Sequence, residues 1–246
     1  MILTSPIFLL CIFIIAFLFS TCGQGGASGF IAVMSLFSIE PTLMKSSALM
    51  LNVFVTIISF YNYYKKGYFK IKLFIPLIIL SVPMAFFGAS LIVDAALYSK
   101  VLGICLLITA ITFFIGFNKS NANEVKKMPL AAGVITGSGI GFLSGLIGIG
   151  GGIILSPVML VFKWATFKQV SAITSLFILV NSVAGIAGVL HSGKQLPSTI
   201  FIWIAVAVIA ALIGSYWGSR KAPVHILKKI LGIVLLIASI KLLFVN

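Results

Sequence analysis

Runs of roughly twenty apolar residues recur along the chain, the length that an α-helix needs to cross a bilayer. A transmembrane β-barrel would instead need short segments that alternate apolar and polar residues. With 61% hydrophobic and 8% charged residues, the chain has too few polar groups for a soluble globule. The runs predict an all-α polytopic membrane protein. Their limits are 6–22, 28–38, 44–64, 73–92, 98–117, 128–147, 152–163, 168–190, 198–218 and 224–244.

Two of these runs, 28–38 and 152–163, are too short to cross a bilayer unaided. Each follows a cluster of glycines, and glycine destabilises a helix interior by about 1 kcal/mol relative to alanine. Each cluster therefore predicts a membrane helix that breaks and continues as a short helix, which either crosses fully or is re-entrant. The glycines are Gly23, Gly25 and Gly26 in the first half and Gly148, Gly150, Gly151 and Gly152 in the second.

The two breaks belong to an internal repeat of five segments. In each half a long helix precedes the glycine break, and a short helix and three further helices follow it. We predict a first transmembrane repeat over 1–117, a polar cytoplasmic linker over 118–127 and a second repeat over 128–246. The run at 6–22 lacks a basic leader and a cleavage site of small residues, so we expect it to be a retained first helix.

Basic residues indicate the orientation of the second repeat. If the halves are inverted, one membrane face holds most of the positive charge, namely Lys65, Lys66, Lys70, Lys72, Lys119, Lys126, Lys127, Lys163, Lys168, Arg220, Lys221, Lys228 and Lys229. The other face then holds only Lys45, Lys100, Lys194 and Lys241. Parallel halves would divide the positive charges almost evenly. The positive-inside rule therefore favours inverted repeats with both termini outside.

Catalytic and metal-binding chemistry has little support in the sequence. The few acids and histidines fall in predicted loops or helix ends, at no spacing typical of a metal site or an acid/base pair. They are Glu40, Asp94, Glu124, His191 and His225. The cysteines Cys11, Cys22 and Cys105 resemble buried apolar residues. We expect no enzyme, no cofactor and no metal.

The net charge of +14 does not indicate a nucleic-acid partner, because the basic residues are scattered between apolar runs. In such positions they set membrane orientation and contact lipid headgroups. We therefore expect membrane lipid and a small anion as partners, and homodimerisation stays open.

The glycine breaks are the predicted binding site. A short helix that begins at each break presents free N–H groups and the positive end of its dipole, an arrangement that binds anions. Inverted halves with broken helices are typical of secondary transporters. The alternative is that the glycines only allow close helix packing, which we favour for Gly133, Gly137, Gly141, Gly185 and Gly188.

Polar side chains on two long helices complete the predicted site. Asn52, Thr56 and Ser59 share one helical face, and a comparable stripe comprises Ser171, Thr174, Ser175, Asn181 and Ser182. Neutral donors suit a small anion that must be released, although they also join membrane helices by hydrogen bonds. The candidate binding residues are Thr21, Gly23, Gln24, Gly25, Gly26, Asn52, Thr56, Ser144, Gly148, Gly150, Gly151, Gly152, Thr174, Ser175 and Asn181.

The second glycine cluster and its surroundings resemble the signature of the sulfite exporter TauE/SafE family, also called the TSUP transporters. The matching residues are Gly141, Ser144, Gly145, Leu146, Gly148, Gly150, Gly151, Gly152 and Pro157, with a weaker copy at Gly23, Gly25 and Gly26. The resemblance implies a secondary transporter of sulfite, thiosulfate, sulfate or organosulfonates in a prokaryotic plasma membrane. In the first copy Gln24 replaces an aliphatic residue, which makes Gln24 a candidate for substrate choice.

We expect transport by alternating access, and export is the favoured direction. An inside-negative potential of 100 mV favours outward movement of an anion by roughly 2.3 kcal/mol per charge. The sequence offers no buried carboxylate for proton coupling. The alternatives are an importer of thiosulfate or a sulfonate, a passive anion channel, and a membrane scaffold without flux.

Overall fold

The computed structural model describes residues 5–91, 93–115, 125–193, 200–220 and 224–244. They form eleven α-helices, which confirms the prediction of an all-α protein. The helices are α1 (Pro6–Thr21), α2 (Ala27–Leu36), α3 (Pro41–Lys65), α4 (Ile71–Ile78), α5 (Ser81–Ser90), α6 (Ala95–Ile115), α7 (Leu130–Ile147), α8 (Gly152–Val161), α9 (Phe167–His191), α10 (Ile200–Arg220) and α11 (Val224–Phe244).

Within the described residues, five helical segments are long and apolar enough to cross a membrane, as expected of a polytopic membrane protein. They are Leu43–Lys65, Ile71–Ser90, Leu130–Ile147, Phe167–His191 and Ile200–Arg220. Of the linker predicted at 118–127, residues 118–124 lie outside the described residues. The division into domains therefore stays a prediction. Lys119, Glu124, Lys194 and Lys221 also lie outside them, as do the side chains of His225, Lys228 and Lys229.

The prediction of one continuous helix over 73–92 is wrong in one respect. The segment forms two helices, α4 and α5, which are separated by Ile79 and Leu80. Pro83 in the first turn of α5 has no N–H group to donate to the carbonyl of Ile79, four residues earlier, and Pro76 interrupts the same ladder within α4. The two prolines thus account for the break.

Glycines of α7 bring its backbone against α4 and α5. A side chain at Gly137, Gly141 or Gly145 would clash with the carbonyl oxygens of Leu77, Ser81 and Ala85, respectively. Regular spacing by four residues places these glycines on one face of α7. They allow the close packing that the sequence analysis assigned to Gly137 and Gly141.

The helix pairs of the two halves correspond. α1 packs along α10 in the same direction, with Phe8 against Trp203 (ring centroids 5.1 Å apart) and Phe17 stacked on Trp217 (5.9 Å). The equivalent pair, α7 and α5, also runs in one direction, because Gly141 contacts Ser81 and Gly145 contacts Ala85.

α3 and α9 cross at the centre in opposite directions. Lys168, at the start of α9, lies 5.8 Å from the ring of Tyr63 near the end of α3, while Gly185 near the end of α9 contacts Leu49 near the start of α3. Opposite directions for these counterparts are what inverted repeats require. Inversion of the complete halves across a membrane stays a prediction.

The centre of the bundle is polar and is flanked by two apolar clusters. One cluster contains Phe8, Phe30 and Trp203, and the other contains Leu77 and Phe177. Between them lie polar side chains of α3 and α9 with no exposed surface, namely Asn52, Thr56, Ser59, Thr174, Ser175, Asn181 and Ser182. Buried polar groups in a membrane protein need partners or a ligand, so this layer is the candidate binding region.

Candidate functional site

The first glycine cluster breaks the chain between α1 and α2. Gly23 and Gly26 have φ angles of 70° and 94°, in the left-handed region, and Gly26 is the N-cap of α2. Glycine adopts this conformation without the steric cost that other residues carry. A side chain at Gly23 would also clash with Ser171 at the start of α9. The predicted break is therefore present and needs glycine for two reasons.

The second cluster makes the equivalent break between α7 and α8. Gly148 ends α7 with a φ of 86°, and Gly150 and Gly151 follow with φ angles of 75° and 76°. α8 begins at Gly152, with Gly151 as its N-cap. Gly148 packs against Lys45 near the start of α3, as Gly23 packs against Ser171 near the start of α9.

Two tyrosines complete the ends of the broken helices. The Tyr63 hydroxyl donates to the carbonyl oxygen of Thr21 at the end of α1 (2.8 Å), and the Tyr98 hydroxyl donates to that of Ile147 at the end of α7 (2.8 Å). Both tyrosines are buried, and each satisfies a carbonyl that has no partner within its helix. The sequence analysis missed them because a tyrosine in a helix carries no local sign of a distant carbonyl.

Asn52 joins the two breaks. Its Oδ1 accepts a hydrogen bond from the backbone N–H of Ala27 at the start of α2 (3.0 Å). Its Nδ2 donates to the carbonyl oxygen of Ile149 in the second break (3.3 Å) and to Ser182 Oγ on α9 (3.4 Å). One fully buried amide therefore holds both glycine clusters next to each other.

Backbone N–H groups point into this region from both short helices. The first intrahelical bond of α2 runs from the Phe30 N–H to the Gly26 carbonyl (2.8 Å), which leaves the N–H groups of Ser28 and Gly29 outside the helical ladder. In α8 the bonds to the Gly151 carbonyl begin at Ile154, and the N–H groups of Gly152 and Ile153 precede them. These groups carry the positive ends of two helix dipoles.

Gln24 links the first break to α8. Its Nε2 donates to Ser156 Oγ (3.2 Å), and Ser156 Oγ donates to the Gly152 carbonyl (2.8 Å). Because the single hydroxyl hydrogen of Ser156 is used by Gly152, Ser156 can only accept from Gln24, which fixes the orientation of the amide. The Gln24 Oε1 atom then faces away from Ser156.

Several polar atoms close to the breaks are buried and lack a protein partner among the described residues. They are Gln24 Oε1 and the hydroxyl oxygens of Ser28 and Ser144. Ser28 lies in the first turn of α2, and the Ser144 side chain lies beside Gly151, the N-cap of α8. Both hydroxyls are donors placed at the start of a short helix, where an anion would accept from them.

The structure gathers most of the candidate side chains but separates one of them. Ser175 donates to the Gly23 carbonyl (2.7 Å), Thr174 lies next to Gly152, and Thr56 lies next to Gly25. Asn181 instead accepts from Ser81 on α5 (2.6 Å) and donates to the carbonyl of Phe177. Ser182, one residue further along α9, contacts Asn52 at the breaks.

Thr21 and Lys45 make helix-end contacts. The Thr21 hydroxyl donates to the carbonyl of Leu18 within α1 (2.6 Å). Lys45 is buried, with 4% of its surface exposed, and its Nζ donates to the Ala89 carbonyl near the end of α5 (3.0 Å). The lysine therefore binds a carbonyl at a helix end inside the bundle.

The acidic residues of the described chain lie at its surface. Glu40 precedes α3, and Asp94 accepts from the Ala96 N–H (3.0 Å) at the start of α6. Within the described ranges no three residues of the types His, Cys, Asp and Glu cluster as a metal site would require. The central layer therefore offers neutral hydrogen-bond donors and acceptors.

Comparison with known proteins identifies the family of the chain. The family model for the sulfite exporter TauE/SafE proteins matches residues 8–242. The chain belongs to the TauE/SafE family. Both glycine breaks and all the candidate binding residues lie within the matched TauE/SafE region. No solved structure matches the chain.

Curated relatives of this TauE/SafE protein are described as probable membrane transporter proteins. One from Sinorhizobium fredii is 35% identical over 94% of this chain and 95% of its own length. One from Methanocaldococcus jannaschii is 30% identical over 73% of this chain and 72% of its own length. One from Bacillus subtilis is 24% identical over 96% of this chain and 99% of its own length. The chain is therefore a multi-pass membrane transporter of this family.

Proposed function

We propose that this transporter exports small sulfur-containing anions, namely sulfite, thiosulfate or an organosulfonate, by alternating access. The anion binds where the two glycine breaks meet, between the N-termini of α2 and α8. Asn52 is the observation that carries the proposal, because its amide contacts both breaks at once. A site shared by two halves is the arrangement that a rocking motion of the halves exposes to one side at a time.

The chemistry of the central layer suits an oxyanion that must be released. N–H groups of both short helices and the hydroxyls of Ser28 and Ser144 can donate, and none of these groups carries a full charge. A fixed cation would bind an anion more tightly and delay its release. The two lysines near the breaks, buried Lys45 and half-buried Lys168, donate to the carbonyls of Ala89 and Gly218 at helix ends.

Outward transport needs no coupling ion. The membrane potential of a prokaryotic cell favours movement of an anion to the outside by roughly 2.3 kcal/mol per charge at 100 mV. The central layer of the described chain contains no carboxylate that would carry a coupled proton. We place the protein in the plasma membrane with both termini outside, as the distribution of lysines favours.

Counterflow in proteoliposomes tests the proposal. Vesicles containing the purified protein and unlabelled sulfite are diluted into radiolabelled sulfite, thiosulfate or taurine, with chloride as a reference anion. A carrier gives saturable uptake that depends on the trapped anion, and we expect this for at least one sulfur anion. Flux that stays linear with concentration and needs no trapped anion would identify a channel instead. Absence of flux for every anion would refute both the carrier and the channel.

The direction of transport needs a separate measurement. Vesicles loaded with the labelled anion are given a potassium diffusion potential of either sign. Efflux that rises when the interior is negative supports export driven by the potential alone. Accumulation against a gradient that depends on a proton or sodium gradient would establish an importer and overturn the proposed direction.

A further inference from the structure

A basic cavity lies at the end of the bundle where α7 begins and α8 ends. Its volume is about 460 Å³, which is within the range of small-ligand sites. Its lining combines three lysines with a largely apolar wall and comprises Lys126, Lys127, Pro129, Ala132, Thr136, Val161, Phe162, Lys163 and Trp164. The cavity lies apart from the glycine breaks, and the proposed transport mechanism does not use it.

The fold brings the lysines together by a reversal after α8. Lys163 has a φ of 56°, and the turn that it makes is closed by hydrogen bonds from the Lys163 N–H to the Leu160 carbonyl and from the Trp164 N–H to the Met159 carbonyl. The Lys126 N–H donates to the Lys163 carbonyl (2.8 Å), which fixes the segment before α7 beside this turn. Lys126 and Lys127 are therefore held next to Lys163.

The wall of the cavity is apolar and faces outward. Phe162 stacks on Trp164 with ring centroids 5.2 Å apart, and Trp164 is buried. Phe162 and Val161 keep 57% and 58% of their surface exposed. Since these residues end a membrane-embedded helix, the exposed apolar surface and the lysines lie at the height where a membrane has its headgroups.

The equivalent end of α2 is arranged differently. Ser38 makes the same left-handed turn there, with a φ of 57°, but Lys241 of α11 occupies the helix end and donates to the carbonyls of Ser35 and Leu36 and to Ser38 Oγ. One short helix thus ends against a lysine of the protein itself. The other ends at an open cavity with basic side chains around it.

We propose that the cavity binds an anionic phospholipid. Lys126, Lys127 and Lys163 surround the phosphate of the headgroup, and the first part of an acyl chain lies along Val161 and Phe162. Clusters of lysine between membrane helices at the cytoplasmic side are a known physical solution for anionic headgroups. A soluble phosphate would use the same lysines but would gain nothing from the exposed apolar wall.

Binding of defined lipids to the purified full-length protein tests the proposal. The protein in detergent is titrated with dioleoyl phosphatidylglycerol, dioleoyl phosphatidylcholine or glycerol 3-phosphate, and bound lipid is counted by native mass spectrometry. We expect phosphatidylglycerol to bind at least tenfold more tightly than phosphatidylcholine. Equal binding of the two lipids would overturn the proposal. Equal binding of glycerol 3-phosphate and phosphatidylglycerol would show a soluble phosphate site, which also overturns it.

Two triple variants separate this site from general attraction to charge. Changing Lys126, Lys127 and Lys163 to glutamine should weaken phosphatidylglycerol binding about tenfold or more. Changing the exposed residues Lys66, Lys70 and Lys72 to glutamine removes the same charge elsewhere and should leave binding within twofold. Equal losses in both variants would mean that only net charge matters.

A change in the apolar wall distinguishes binding of the acyl chain from binding of the headgroup alone. Phe162→Ser should weaken phosphatidylglycerol binding severalfold while any binding of glycerol 3-phosphate stays unchanged. Thermal unfolding without added lipid shows whether each variant folds. If Phe162→Ser folds normally and binds phosphatidylglycerol as the native protein does, the acyl chain does not occupy this wall.

Discussion

The two glycine breaks share a backbone but differ in their side chains. Gly25 in the first break faces Asn52 and Thr56 of α3, whereas Gly150 in the second faces both Asn52 and Ile178, and Gly152 faces Ile178 on the counterpart helix α9. Gln24 has Ile149 as its equivalent. Both halves contribute hydroxyls and backbone N–H groups, and the first break adds the amide side chain of Gln24, which bonds Ser156. If the anion binds at the breaks as proposed, we expect this difference to make the first half the one that influences which anion is bound.

We expect the largest effect on transport at Gly150, because the second break has no room for a side chain there. Gly150→Leu should reduce anion flux to that of protein-free vesicles. A Cβ atom there would lie 2.5 Å from Asn52 Nδ2 and 2.6 Å from Ile178 Cγ2. Counterflow in proteoliposomes is the measurement, with thermal unfolding to verify the fold.

Gly67→Leu is the matched control for that variant. Gly67 has a φ of 74°, close to the 75° of Gly150, yet a Cβ atom there meets nothing within 4 Å. A leucine at position 67 would therefore have the same backbone strain as one at position 150 but no steric clash. Flux should stay near the native value. An equal loss of flux in both variants would assign the effect to strain and remove Gly150 from the site.

At the first break we expect the affinity for the anion to depend on the side chain of Asn52. Asn52→Leu keeps the volume but leaves the Ala27 N–H and the Ile149 carbonyl without partners, at a cost of about 1–3 kcal/mol. We expect the apparent affinity for the anion to fall about tenfold in counterflow titrations. Asn62→Leu is the control on the same helix, because Asn62 bonds Ser215 on α10 (2.8 Å). It should lower stability and leave affinity unchanged.

Gln24→Ile makes the first break resemble the second and should alter selectivity. The Oε1 atom of Gln24 can only accept a hydrogen bond, so we expect it to favour substrates that carry a donor, such as hydrogensulfite or the zwitterion taurine, over thiosulfate. Losing one neutral hydrogen bond of about 0.5–1.5 kcal/mol should shift that preference by up to about tenfold. Competition between labelled anions measures the ratio.

Ser156→Ala is the control for the selectivity change. It removes the hydroxyl that Gln24 Nε2 contacts but keeps Oε1. The preference between anions should then shift less than in Gln24→Ile. A selectivity that is identical to native in Gln24→Ile would show that the difference between the two breaks does not choose the substrate.

We expect the smallest effects from the two tyrosines that bond the ends of α1 and α7, because both breaks have such a bond. Tyr63→Phe and Tyr98→Phe each remove one hydrogen bond to the last turn of a broken helix. Each should lower stability by about 0.5–1.5 kcal/mol, measured by thermal unfolding in detergent, with affinity for the anion retained. If only one of the two changes affected stability, the ends of α1 and α7 would not be equivalent supports.

The sequence predicts the helices and both breaks well because these features depend on local composition. Run length determines the helices, and consecutive glycines determine the left-handed turns at Gly26 and Gly151. The interruption between α4 and α5 was also open to local prediction, since Pro76 and Pro83 lie in the predicted segment. The segment is apolar on both sides of the break, so a prediction from hydropathy treats it as one helix.

The missed features depend on packing between distant segments. Asn181 and Ser182 are adjacent, so their side chains point about 100° apart on α9, and hydropathy could not indicate which one faces the breaks. The bonds of Tyr63, Tyr98 and Lys45 to helix-end carbonyls join different helices, and the sequence has no pattern that pairs them. Only the three-dimensional arrangement shows these contacts.

The two-sided bonding of Asn52 has a consequence for motion. Asn52 and Ala27 both belong to the first half, so a movement of the halves as proposed would break the bond from Asn52 to the Ile149 carbonyl. In an empty protein that exposes an unpaired dipole in a dry interior, which slows the exchange between states. An oxyanion can accept from the Asn52 Nδ2 group that this movement frees. In the proposed cycle we therefore expect bound substrate to lower the barrier, and the empty return step to be the slower one.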